Sequence, residues 1–230
     1  MAAKRARRQS DWGIPAGLIA LSVVPALAGT ARLVELARGT TITAANARFF
    51  AMPLPVVLHI IAVIPFSIFG AIQFVPTFRQ RHRNWHRLAG RALVACGLTA
   101  AVTGLWMTQF YPWPVGDGEA LYVLRLIFGT AMLVSMVMAI DAIRRRNFAE
   151  HGAWMIRAYA IAMGAGTQVL THLAYFLLVG KPDESSRAVL MGAGWIANVA
   201  VAEWIIRRAP VRRATVHTAS TSGHKICDRK

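Results

Sequence analysis

Six almost uncharged stretches divide this chain, at residues 14–33, 53–77, 89–111, 120–142, 152–179 and 187–206. Each is close to the ~20 residues that a helix needs to cross the hydrocarbon of a bilayer. In lipid no water is at hand for the backbone, so every amide and carbonyl must find its partner within the protein, and a helix supplies those partners locally. The pattern therefore predicts an all-α fold: a polytopic membrane protein with six transmembrane helices in one bundle. Composition agrees, since 56% of the residues are hydrophobic and only 16% charged, against about 25% charged in an average soluble domain. No soluble domain or low-complexity linker separates the runs. The first run follows Lys4, Arg5, Arg7 and Arg8 and contains an "ALA" at 26–28, features shared with a secretory signal. Pro25 interrupts that cleavage pattern, and removal would leave an odd number of spans, so the run is read as a retained helix.

The net charge of +16 is laid out in blocks between the apolar runs. With the N-terminus inside, one side of the membrane holds Lys4, Arg5, Arg7 and Arg8, then Arg79, Arg81, Arg83, Arg87 and Arg91, then Arg144, Arg145, Arg146 and Arg157, and finally the tail from Arg207. The other side has Arg32, Arg38, Arg48, Arg125, Lys181 and Arg187. Retention of Lys and Arg on the cytoplasmic side places both termini in the cytoplasm. The layout implies a basic N-terminus over 1–13, a membrane domain over 14–207 and a basic, unstructured cytoplasmic tail over 208–230. It excludes nucleic-acid binding, which would need a domain or groove-reading motif to carry the charge. Cys96 and Cys227 show no disulfide or metal spacing.

Two of the basic blocks also contain histidine and tryptophan. Residues 73–91 read "QFVPTFRQRHRNWHRLAGR", with His82, Trp85 and His86, and residues 144–159 read "RRRNFAEHGAWMIRAY". An arginine collar on acidic headgroups accounts for the charge, but not for the imidazoles. The stretches "LHIIAVIPFSIFGAIQFVPTFRQRHRNWHRLAGRAL" and "RRRNFAEHGAWMIRAYAIAMGAGTQ" resemble a bacterial family of predicted multi-pass membrane proteins catalogued as domain of unknown function 2306. The resemblance covers approximately residues 55–205 and rests on His59, Gln73, the His86-Arg87-x-x-Gly90-Arg91 run and His151-x-x-Trp154-Met155-x-Arg157. It implies the membrane architecture and marks these residues, and it implies no mechanism.

Ionisable groups at membrane depth are costly, so each is a candidate for function. At about 100° per residue, Arg157, Gln168, Thr171, His172 and Tyr175 of the fifth run fall on one stripe. Such a stripe suits a binding site, and it suits equally a set of hydrogen bonds between helices. In the second run His59 and Gln73 share a face, almost four turns apart. His59 and His172 lie at matching depths of about 9–12 Å below the outer boundary, where two imidazoles could ligate the iron of one b-type haem. His86 and His151, with His82 nearby, form a second candidate pair at the cytoplasmic boundary. Gln73 and Gln168 are candidate neighbours of these ligands. Arg157, Arg87 and Arg91 are candidate contacts for haem propionates or another anionic group. The spacing differs from that of dihaem bundles, whose paired histidines lie about four turns apart on one helix.

Smaller signals read as structure. Glu203 stands one turn before Arg207, and Asp141 one turn before Arg144 and Arg145, spacings that allow local ion pairs. "MGAG" occurs at 163–166 and again at 191–194, where small residues suit close helix packing. No span carries a pair of carboxylates, so acid–base hydrolysis has no support, and the residues assign no reaction. Three functions fit: an internal His/Gln/Arg site for b-type haem or quinone in electron transfer, a small proton-coupled transporter, or a non-catalytic assembly or lipid-binding subunit. Expected partners are the bilayer and its anionic headgroups, with a second copy of the chain or a membrane redox protein as further candidates. The expected location is a bacterial cytoplasmic membrane.

Overall fold

The computed structural model describes residues 2–208, with side chains described from Trp12 onward. Of the tail expected over 208–230, Arg208 ends the last helix and residues 209–230, with Cys227, lie outside the described residues, as do the side chains of Lys4, Arg5, Arg7 and Arg8. The elements in chain order are α1 (Ala2–Arg38), α2 (Ala47–Ala51), α3 (Pro53–Gln73), α4 (Pro76–Arg81), α5 (Arg83–Phe110), α6 (Glu119–Arg144), α7 (Phe148–Ala162), α8 (Gly164–Leu178) and α9 (Glu184–Arg208). Among the described residues six spans are long and apolar enough to cross a membrane: α1 from Trp12, α3, α5, α6, the α7–α8 pair and α9. This is the all-α, multi-pass membrane architecture that the apolar runs require.

Local chemistry sets the helix ends. Pro53 and Pro76 begin α3 and α4, where a missing N–H removes nothing from the helix. Pro76 cannot donate to the Ile72 carbonyl, so α3 closes at Gln73 on short bonds from Phe74 and Val75, before the end of the apolar run at Thr77. Asn147 caps α7 by accepting the Glu150 amide at 3.2 Å, and Asp183 caps α9 by accepting the Ser186 amide at 2.7 Å. At the far end of α1, Glu35 accepts from Asn46 and pairs with Arg32, which ties the loop over 39–46 back to the helix.

The bundle is a closed packing of neighbours. Helix α1 lies on α3 and α8, α3 on α5, α5 on α6, α6 on α7 and α9, and α9 on α7 and α8. Phe66, Met136 and Tyr159 form the centre of the core. Glycine lets them meet: a Cβ at Gly70 would strike the Tyr159 ring, and one at Gly97 would strike Phe66 and Met136. The Tyr159 hydroxyl donates to the Ser67 carbonyl at 2.5 Å.

The run expected as one helix over 152–179 is two helices, broken at Met163. Gly164 and Gly166 are poor helix formers, and each lies against a close neighbour that a side chain would displace. Gly164 faces the Trp195 indole, and Gly166 faces the backbone carbonyl of Leu21 on α1. Asn198 of α9 holds the two sides of the break together: its Nδ2 donates to the Ala160 carbonyl at 3.1 Å, and its Oδ1 accepts from Thr167 at 2.9 Å. The second "MGAG" also packs, Gly192 against Leu124 and Gly194 against Gln168.

Candidate functional site

A cavity of about 350 Å³ lies inside the bundle, walled by α1, α3, α5, α6, the α7–α8 break and Trp195 of α9. Most of its wall is aliphatic or small: Ile60, Val63 and Ile64 from α3, Ala100, Ala101 and Gly104 from α5, and Pro25, Ala26 and Gly29 from α1. Trp195 is held in place by stacking on Phe128, with ring centroids 4.9 Å apart. Ser22, also in the wall, is buried, and its hydroxyl points at the Met163 sulfur, 3.6 Å away.

Two ionisable side chains, His59 and Arg125, line this space. His59 Nδ1 is 3.0 Å from the Ala100 carbonyl oxygen and 3.1 Å from Thr103 Oγ1. The Thr103 hydroxyl donates to the Thr99 carbonyl at 2.6 Å, so both of its neighbours require that Nδ1 be the donor. This fixes the neutral tautomer with the proton on Nδ1 and the lone pair on Nε2. Nε2 has no protein partner among the described residues, and it is not closed off by packing. The site therefore offers one preoriented acceptor nitrogen in an apolar chamber.

Arg125, also in the wall, stands on α6. Its Nη1 is 2.6 Å from Asp117 Oδ2, while Arg187 Nε is 2.7 Å from Asp117 Oδ1. The Asp117 side chain is only 2% exposed, so a single sequestered carboxylate serves two guanidiniums, with the Glu184 carboxylate packed against the adjoining Gly118. Arg48, from the short α2, adds to this group. Burial pulls its pKa below the ordinary arginine value, Asp117 opposes that shift, and Arg125 and Arg32 reinforce it.

A second polar group sits at the end of the bundle that carries residues 76–91 and 144–151. His151 Nδ1 donates to the Ala139 carbonyl of α6 at 2.8 Å. His86 lies within electrostatic range of His151, Arg79 and Arg87. The His86 Nδ1 atom and both polar atoms of the Gln73 amide are buried without a hydrogen-bond partner. Arg87 and Arg91 are exposed and make no ion pair among the described residues.

The stripe on the fifth span faces α9. Arg157 donates from Nε and Nη2 to the two Glu203 oxygens at 2.5 and 3.0 Å and lies over the Trp154 ring. Glu203 is thus tied across the bundle rather than to Arg207. Gln168 donates to the Met191 carbonyl, Thr171 to the Leu190 carbonyl, and Tyr175 meets Ser186. His172 departs from this seam. Its Nδ1 donates to the Gln168 carbonyl one turn back at 2.8 Å, and it does not belong to the cavity wall that holds His59 and Gln168. His82 is exposed and tilts against Phe78. Asp141 pairs with Arg145, which also reaches Glu150. Among the described residues no three His, Cys, Asp or Glu side chains gather in a way that could hold a metal ion.

The family described as predicted membrane protein (DUF2306) matches residues 56–206. The chain belongs to that family. No curated protein and no solved structure matches it. The DUF2306 match contains His59, Arg125, Gln168 and Trp195, together with Gln73, His86 and His151. It leaves out α1, although Ser22, Pro25, Ala26 and Gly29 supply one wall of the chamber. Arg125 is the wall residue that the sequence disguised. A charge near the end of an apolar run reads as a side chain reaching the interface; the signal was that Asp117, eight residues earlier, is the only acid in the preceding loop.

Proposed function

We propose that this DUF2306 protein binds a molecule with an apolar body and a hydroxyl-bearing ring, of the quinol class, in the cavity between His59 and Arg125. The observation that carries the reading is the pinned His59 imidazole. With Nδ1–H committed to Ala100 and Thr103, the free Nε2 lone pair is suited to accept a hydroxyl proton from a quinol. Aliphatic walls suit the ring and the start of an isoprenoid chain, and a few placed polar groups in an apolar pocket are the usual make-up of a small-molecule site. The oxidised quinone lacks that hydroxyl and finds no donor at Nε2, so the site favours the reduced form.

Titration of the purified protein with a short-chain quinol checks this. Saturable binding is expected, weakened about tenfold or more by His59→Ala, the equivalent of about 1.4 kcal/mol for one lost hydrogen bond at a buried site. Equal affinity in the variant removes His59 from the site.

A haem reading rests on the same imidazole, because a histidine that donates Nδ1–H to a carbonyl is held as an iron ligand is held. His172 is held alike through Gln168, but it stands off the chamber wall, so a shared haem gains nothing from the cavity. An absorption spectrum distinguishes the two readings: a Soret band lost in His59→Ala supports haem, and a colourless preparation that binds quinol supports the first. The charge asymmetry supports a cytoplasmic position for the end bearing residues 76–91 and 144–151, in a bacterial cytoplasmic membrane.

A further inference from the structure

The second polar group, remote from the cavity, has its own chemistry. Gln73 ends α3, and the pairing of α3 with α5 gives its level. His59 meets Ala100 and Thr103, and seven residues further along α3 Phe66 meets Gly97. Seven residues further down α3, Gln73 is therefore level with the second and third turns of α5, about Gly90 to Leu93, with His86 one turn nearer the end of the bundle. From α7, His151 comes within electrostatic range of His86. Three helices thus bring a carboxamide and two imidazoles to one end of the bundle.

Their polar atoms are poorly served by the protein. Gln73 Nε2 and Oε1 and His86 Nδ1 are all buried and unpartnered. Buried groups of this kind nearly always have a partner, so three orphans in one region point to a bound species. Gly90 lies one turn from His86, and a Cβ there would meet nothing within 4 Å, which leaves that face of α5 open.

Charge decides the class of ligand. Residues 36–116 contain no Asp or Glu. Arg79 and Arg87 act on His86, and neither makes an ion pair among the described residues. A metal cation would meet uncompensated positive charge, whereas an anion would be drawn in and could accept from the amide, the imidazole and the guanidiniums together. We propose that Gln73, His86 and His151, with Arg79 and Arg87, form a binding site for a phosphate-type anion at the basic end of the bundle. The group is either the phosphodiester of an acidic lipid or a free phosphate. The neighbouring Trp85 and Leu88 are exposed, as residues at an interface with lipid would be.

Calorimetric titration of the full-length protein in a phosphate-free, uncharged detergent tests this, with dihexanoyl phosphatidylglycerol in one arm and inorganic phosphate in the other. Saturable binding of about one equivalent is expected. Binding of the lipid alone assigns a headgroup site, and comparable binding of both assigns a free-phosphate site. Gln73→Leu with His86→Leu should weaken binding at least tenfold. Gln73→Glu, which keeps the side-chain size but repels an anion, should abolish it. Arg81→Gln, outside the group, should leave it unchanged. The thermal midpoint of Gln73→Leu without ligand should equal or exceed that of the wild type, because no internal hydrogen bond is lost. Undiminished binding in Gln73→Glu, or no saturable binding in either arm, overturns the proposal.

Discussion

The Arg157–Glu203 contact is the best-defined ion pair in the bundle. Both side chains are about one-quarter to one-third exposed, at 27% and 30%, and the contact uses two hydrogen bonds, with Trp154 covering the guanidinium. Pairs in water contribute about 0–1 kcal/mol, whereas breaking a buried pair costs about 3–5 kcal/mol. Glu203→Gln should therefore destabilise the protein by about 1–2 kcal/mol in thermal unfolding, the lower end reflecting the remaining exposure. Replacing Arg157 as well should cost less than the sum of the two single changes, and a double-mutant cycle reads that coupling. The sequence marked Arg157 correctly as a residue on a polar stripe, but helix spacing compares residues only within one helix. Glu203 is 46 positions away, so its nearest legible partner was Arg207. The same limit applies to His59: its place on the second span was legible, but the α5 carbonyl and hydroxyl that choose its tautomer were not.

At the scale of the elements, apolar length located all six spans, and small residues located the surprise within the fifth. A stretch reading "AMGAG" at 162–166 is still hydrophobic enough to look continuous. The break depends on Trp195 and Leu21, which approach the two glycines from other helices, and no property of the run itself names them. Helix α9 begins at Glu184, three residues before the apolar run expected from 187, because Asp183 accepts the Ser186 amide as its cap. Hydrogen bonds from the Ser186 hydroxyl and then from the Ser186 amide hold the Asp183 pKa below its ordinary 3.8. A carboxylate whose folded pKa is depressed stabilises the fold above its unfolded value and loses that contribution as pH falls through the folded one. Thermal midpoints of the wild type and Asp183→Ala should thus differ near neutral pH and converge as the pH drops below about 3.8. A constant difference down to pH 2 rules out the cap as the source.

For the molecule as a whole, charge layout and packing bear on different questions. Alternation of basic blocks predicts the orientation, and it does so without reference to any contact. Single cysteines at Gly116 and at Arg146, in a background with Cys96 and Cys227 replaced, should respond oppositely to an impermeant maleimide in intact cells. Position 116 should label directly and position 146 only after permeabilisation; the reverse pattern inverts the protein. The cavity, by contrast, was not legible as a cavity. Its walls come from every span, and several of the residues that line it, such as Gly29, Gly104 and Gly129, carry no side chain to announce it; a Cβ at these three would press on Ile60, His59 and Leu105 in turn. Among its described residues α1 buries only Pro15 and Ser22, yet this helix supplies one wall of the chamber. An oily guest dissolved in the membrane would accordingly have a short lateral route to His59, past a single helix, with no need to pass through water.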